Sequence, residues 1–134
     1  MVQNKKQVCH LDLRQKYQDF LEWLFGKISR FPRTQKFILG EEIGKLSIKI
    51  LADLITIQYN SHSERQKILK ELNLKLEIFR SFMYLAYKMG LIGRKGFLFQ
   101  EGKINEIGRM AYGLVKFHFI PILRERDEVS QKKF

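Results

Sequence analysis

Residues 69–90 read LKELNLKLEIFRSFMYLAYKMG, and this stretch decides the fold. Leu69, Leu72, Leu76, Phe79, Met83 and Ala86 recur at spacings of three and four, the seam of one helix face. A flanking row of Ile78, Phe82, Leu85 and Met89 is read as widening that seam. Gly90 follows the last periodic residue and precedes Leu91, the pattern of a helix closed by a left-handed residue. A helix with so strong a seam hides it against other helices.

Upstream, Asn60, Ser61, His62 and Ser63 interrupt the periodicity. Ser61 with Glu64, and Ser63 with Gln66, both have the spacing of a capping box. The preceding segment runs from about Pro32 to Tyr59 with a seam of Leu39, Ile43, Leu46, Ile50, Leu54 and Ile57. Ile48, Leu51 and Ile55 form a second row, so this helix is expected to be buried on more than one side. Gly40 and Gly44 weaken its interior, and a close helix contact at both is the expected compensation. Residues 12–30 carry Leu13, Tyr17, Phe20, Leu21, Leu24 and Ile28 on one face. A fourth helix starts at the Gly93–Gly96 junction and presents Phe97, Ile104, Ile107 or Gly108, Ala111, Leu114 or Val115, and Phe119. Pro121 is expected to kink or end it. Four amphipathic helices and no convincing strand predict an all-α, up-down antiparallel four-helix bundle over residues 12–122. A loose N-terminus (1–11) and a charged C-terminal tail (123–134) are expected to flank it.

Between the first two helices stands Phe31-Pro32-Arg33-Thr34-Gln35-Lys36-Phe37-Ile38-Leu39-Gly40. Proline is pre-organised for a first helical turn, so Arg33 and Lys36 fall near a helix N-terminus. There they oppose the helix dipole but strengthen its pull on anions. The two phenylalanines and Gly40 are assigned to packing. Arg94 and Lys95 open the fourth helix, and up-down topology puts both helix starts at the same end of the bundle. That end is the best-defined cationic cluster of the chain.

The 134 residues carry a formal net charge of +11, and every quarter of the chain is net basic. Such a balance attracts polyanions: nucleic acid, an anionic membrane surface or an acidic protein. Cys9 is the only cysteine, which excludes an internal disulfide and a thiolate zinc site and suits a reducing cytoplasm. Met1 to Leu13 has no apolar core of a signal peptide, and no stretch has the length of a membrane span. A soluble protein without membrane attachment is expected.

Catalytic chemistry is poorly represented. None of His10, His62 and His118 has a carboxylate at Glu-x-x-His spacing, so a bundle metal centre is unsupported. Cys9 beside His10 is a poor nucleophile–base pair, since adjacent residues seldom face one another. No phosphate-loop or dinucleotide fingerprint occurs. Neither an enzyme nor a cofactor is expected. The candidate binding residues are cations: Arg30, Arg33, Lys36, Arg80, Arg94, Lys95, Arg109 and Lys116. Glu106 precedes Arg109 by three residues, which leaves a structural ion pair and a functional cation both open for Arg109.

The decapeptide, together with the runs Leu72-Asn73-Leu74-Lys75-Leu76-Glu77 and Asn105-Glu106-Ile107-Gly108-Arg109-Met110, resembles the accessory variability determinant (Avd) proteins of diversity-generating retroelements. The resemblance covers about residues 15–120. It implies a four-helix bundle that assembles as a basic homopentamer. It also implies a non-catalytic partner of a reverse transcriptase that binds RNA and/or DNA. The complex copies a template RNA into mutagenised cDNA, the step called mutagenic retrohoming. Glu42 departs from the pattern, standing where a basic residue is expected, and Leu114 or a neighbour replaces a late tryptophan. The alternative reading is a structural bundle, similar to those encoded by ribosomal intervening sequences, that binds an acidic protein without nucleic acid.

Overall fold

The computed structural model describes the backbone of residues 5–130 and the side chains of residues 12–116. Helix α1 is Lys5–Ile28. Helix α2 is assembled from three consecutive pieces, Arg33–Gln35, Lys36–Gly40 and Glu41–Gln58. Helix α3 is His62–Lys88 and α4 is Arg94–Ser130. Each helix packs on its neighbours in sequence, and α1 closes the ring against α4. This is the expected four-helix bundle, with no strand among the described residues.

The bundle holds together because each helix turns its seam inward. Leu13, Tyr17, Phe20 and Leu24 of α1 meet Ile43, Ile50, Leu54 and Ile57 of α2 in one core with Leu72, Leu76, Phe79 and Met83 of α3. Ile104, Ile107 and Ala111 of α4 complete it. Each large apolar side chain removed from water contributes about 1.5–3 kcal/mol. The core's two buried polar side chains serve their own helices. Ser47 donates to the Gly44 carbonyl at 2.7 Å, and Gln100 donates to the Phe97 carbonyl at 3.0 Å.

Helix ends follow local chemistry. Ser61 caps α3, its hydroxyl accepting from the Glu64 N–H at 3.5 Å. At the other end Gly90 has φ of 76°. The Leu91 N–H donates to the Ala86 carbonyl and the Gly90 N–H to that of Tyr87, which is a Schellman closure. Arg65 spans the α2–α3 turn and donates to the carbonyls of Ile57 (2.8 Å) and Gln58 (3.0 Å), satisfying the end of α2. Its part-burial lowers the guanidinium's proton affinity.

Several expectations need correction. Helix α1 starts at Lys5 rather than residue 12, because no glycine or proline precedes Gly26 and each added residue brings a hydrogen bond. Helix α4 does not end at Pro121 but continues to Ser130. A proline removes one hydrogen bond, and the ladder resumes beyond it. The second rows are only partly buried: Leu51 and Phe82 pack against the core and Ile55 is half-buried, whereas Ile48, Ile78, Leu85 and Met89 are exposed. Phe37 is 62% exposed, so only Phe31 and Gly40 of the decapeptide's packing set face inward with Leu39. The side chains of Cys9, His10, His118, Phe119 and the tail residues lie outside the described ones.

The two helix-interior glycines also part company. A Cβ on Gly40 would stand 2.9 Å from Ile28 Cγ2 and 3.4 Å from Phe31 Cδ2, so α2 presses on the α1–α2 turn there. Nothing lies within 4 Å of a Cβ at Gly44. Gly40→Ala should therefore cost roughly 1–3 kcal/mol by overpacking. Gly44→Ala should instead stabilise by up to about 1 kcal/mol through helix propensity. Urea unfolding followed by circular dichroism reads both, and equal effects would refute the assignment.

Tyr17 is fully buried, and its hydroxyl donates to the Ser47 carbonyl at 2.7 Å. Burial pushes its pKa far above the ordinary tyrosine value. The neutral form is thus favoured in the fold, so its contribution is complete below about pH 10 and is lost as pH rises further. Tyr17→Phe should flatten the decline of stability above about pH 10 relative to the natural chain. Parallel curves would mean that water reaches the hydroxyl.

Candidate nucleic-acid interface

The predicted cations fall into two groups. The first occupies the bundle end formed by the α1–α2 and α3–α4 turns. Residues 23–40 and 78–100 contribute four Lys or Arg each and not one carboxylate. Arg30, Arg33, Lys36, Arg94 and Lys95 are all exposed here. Among the described residues none of the five has an ion pair or a side-chain hydrogen bond. Pro32 (φ −56°, ψ 150°) starts α2, and its carbonyl accepts from the Lys36 N–H at 2.8 Å. The next turn, Lys36–Gly40, is π-helical. A π turn carries an extra residue and is frequent at functional sites. It offsets Arg33 and Phe37 from the core seam that begins at Leu39.

The second group lies along the groove between α3 and α4. One stretch of it is lined by Asn73, Leu76, Arg80, Asn105, Gly108, Arg109 and Tyr112. The neighbouring stretch brings His62, Gln66, Lys70 and Lys116 beside Tyr112. Arg80, Arg109 and Lys116, separated by up to 36 positions, thus share one face. Burial, then the Arg65 charge, pulls the His62 imidazole below its ordinary value, so it adds no positive charge at neutral pH. Lys70 belongs to the basic surface and Asn73 to the second sequence run, whereas Tyr112 was not singled out in the sequence. Their alignment depends on which face of α3 meets α4.

The groove also explains the two later sequence runs. Arg80 donates to Asn105 Oδ1 from Nε (3.3 Å) and Nη2 (3.0 Å), and from Nη1 to Glu77 (3.1 Å). It therefore joins the last residue of one run to the first of the other. Gly108 brings α4 within 3.4 Å of Leu76 Cδ1, measured from where a Cβ would stand. Glu106 does not pair with Arg109. It reaches Lys16 of α1 (3.4 Å) and Lys103 (3.7 Å), because its position on α4 faces α1. Ile107 is in the core and Met110 packs against it. Arg109 alone in its run has no packing or pairing role among the described residues, and it is exposed.

Among the described residues no group of His, Cys, Asp and Glu is placed to hold a metal, and no helix is long and apolar enough to cross a membrane. The fold and its surface define a basic antiparallel four-helix bundle whose unpaired cations stand outside the core. A family model described as bAvd-like matches residues 11–118, and the chain belongs to that family. The family is one of non-catalytic accessory proteins of the Avd type. No curated protein and no solved structure matches the chain.

The two arginines of the groove should separate experimentally. Arg80→Ala should lower unfolding stability by about 1–2 kcal/mol through loss of its charge-assisted bonds. Arg109→Ala should stay within about 0.5 kcal/mol of the natural chain. The reverse order in urea denaturation would show that Arg109 is the structural cation.

Proposed function

We propose that this chain is the accessory subunit of a diversity-generating retroelement, binding its reverse transcriptase and nucleic acid, either template RNA or cDNA. The observation that carries this reading is the disposition of charge. Cations whose only neighbours are solvent or an aromatic ring stand at one bundle end and at Arg109, while the carboxylates lie elsewhere or are paired. Fixed cations of this kind attract phosphates over a distance and give affinity without sequence readout. Assembly into a homopentamer is part of the same proposal, resting on the family resemblance. Exposed apolar side chains such as Ile48, Leu74 and Ile78 are available for contacts between subunits.

Arg33→Glu with Lys36→Glu should weaken RNA and DNA binding and retention of the reverse transcriptase, with helical circular dichroism unchanged. The natural chain's affinity should fall steeply between about 50 and 500 mM salt, and each phosphate contact removed should flatten that slope by about one. Affinity indifferent to salt, with no reverse transcriptase co-purifying, would overturn the proposal.

A further inference from the structure

Four aromatic rings at and beside the cationic end of the bundle carry a cation, as Tyr112 of the groove does from Lys116 at 6.0 Å. Lys27 Nζ lies 5.6 Å from the centre of the Trp23 ring and the Arg33 guanidinium 6.0 Å from that of Phe37. Lys88 Nζ lies 5.7 Å from Tyr84 and Lys103 Nζ 5.8 Å from Phe99. The first three pairs sit in the last two turns of α1 and α3 and the first two turns of α2, which are the same end; Phe99 and Lys103 follow in the second and third turns of α4, where Lys103 also pairs with Glu106. Phe37, Tyr84 and Phe99 are 62%, 52% and 41% exposed, so part of each side chain is open to solvent. Trp23 and Phe99 touch at a centroid separation of 4.7 Å, joining two of the pairs into one platform.

Rings left in water have not been spent on the core, and an adjacent cation makes each suited to one nucleotide. The ring stacks on a base, and the cation pairs with the phosphate beside it. We propose that this end binds single-stranded nucleic acid, by base stacking on Phe37, Tyr84 and Phe99, with phosphate pairing to Arg33 and Lys88 beside the first two rings. The proposal rests on the nucleic-acid reading above and specifies its strand form. A duplex buries its base faces in its own stack and would use the cations alone. An acidic protein would likewise satisfy the cations but would leave the exposed surfaces of Phe37, Tyr84 and Phe99 without a stacking partner.

Trp23 is the only tryptophan of the chain, so its emission reports directly on this end. The full chain is titrated with an oligo-dT of about 20 nucleotides and with a duplex of equal length, at several salt concentrations. The single strand should quench Trp23 and bind roughly tenfold more tightly than the duplex. Phe37→Ala with Tyr84→Ala should lose roughly tenfold in single-strand affinity, with the salt slope, duplex affinity and circular dichroism unchanged. Phe37→Trp, which keeps a ring, should retain the affinity. If neither oligonucleotide binds, the nucleic-acid reading fails and takes this inference with it. Equal affinity for the two forms overturns the inference alone. So does a loss on Tyr112→Ala in the groove but not on the end variants. Release of the reverse transcriptase by the end variants, with single-strand affinity intact, would make this a protein-docking surface and overturn it too.

Discussion

The bundle depends on α1, because no two of the other helices close the core without it. Tyr17 reaches α2 through its hydroxyl, Phe20 meets Phe79 of α3 edge-on at 6.1 Å, and Trp23 rests on Phe99 of α4. Lys16 adds an ion pair to Glu106 of α4. Side chains about one turn apart on a single helix thus touch all three partners. The apolar seams supply the free energy, and these contacts set the azimuth at which each helix presents its seam.

Fixing that azimuth decides what is left outside. Once Leu76 and Gly108 meet, Arg80 has Asn105 within reach, and the two sequence runs are joined. The two runs are therefore largely packing devices. Their polar and small residues are satisfied internally, at Glu77, Asn105, Glu106 and Gly108. Arg109, one position beyond Gly108, is carried round to the groove with no such duty, and that contrast is what makes it the candidate binding residue of the run.

The Pro32–Gly40 corner works in the same way at the bundle end. Gly40 is the point of close approach, and its missing Cβ lets α2 lie against Ile28 and Phe31. The π turn before it absorbs one residue, so the preceding cations and Phe37 are offset from the core stripe. The absence of carboxylates on both turns leaves that end positively charged. On the neighbouring turn of α2, Glu41 and Glu42 remain exposed, which bounds the patch on that side.

The number of helices, their seams, the Ser61 cap and the Gly90 closure were legible in the sequence, because they arise from spacings of three and four and from single-residue backbone preferences. Net charge and the shared end of Arg33, Lys36, Arg94 and Lys95 were legible too, since topology follows from short turns. Which glycine makes a contact, and which phenylalanine of the decapeptide is buried, were not. Gly40 and Gly44 are equivalent in periodicity, and only the neighbouring α1–α2 turn distinguishes them. Likewise, Glu106 has Arg109 at helical spacing but Lys16 across the helix boundary, and local pattern is blind to the second. The sequence by itself determined a basic four-helix bundle, because helical periodicity and charge are properties of the chain. The tertiary structure alone decided which cations are free, because pairing depends on distances between helices that no single helix encodes.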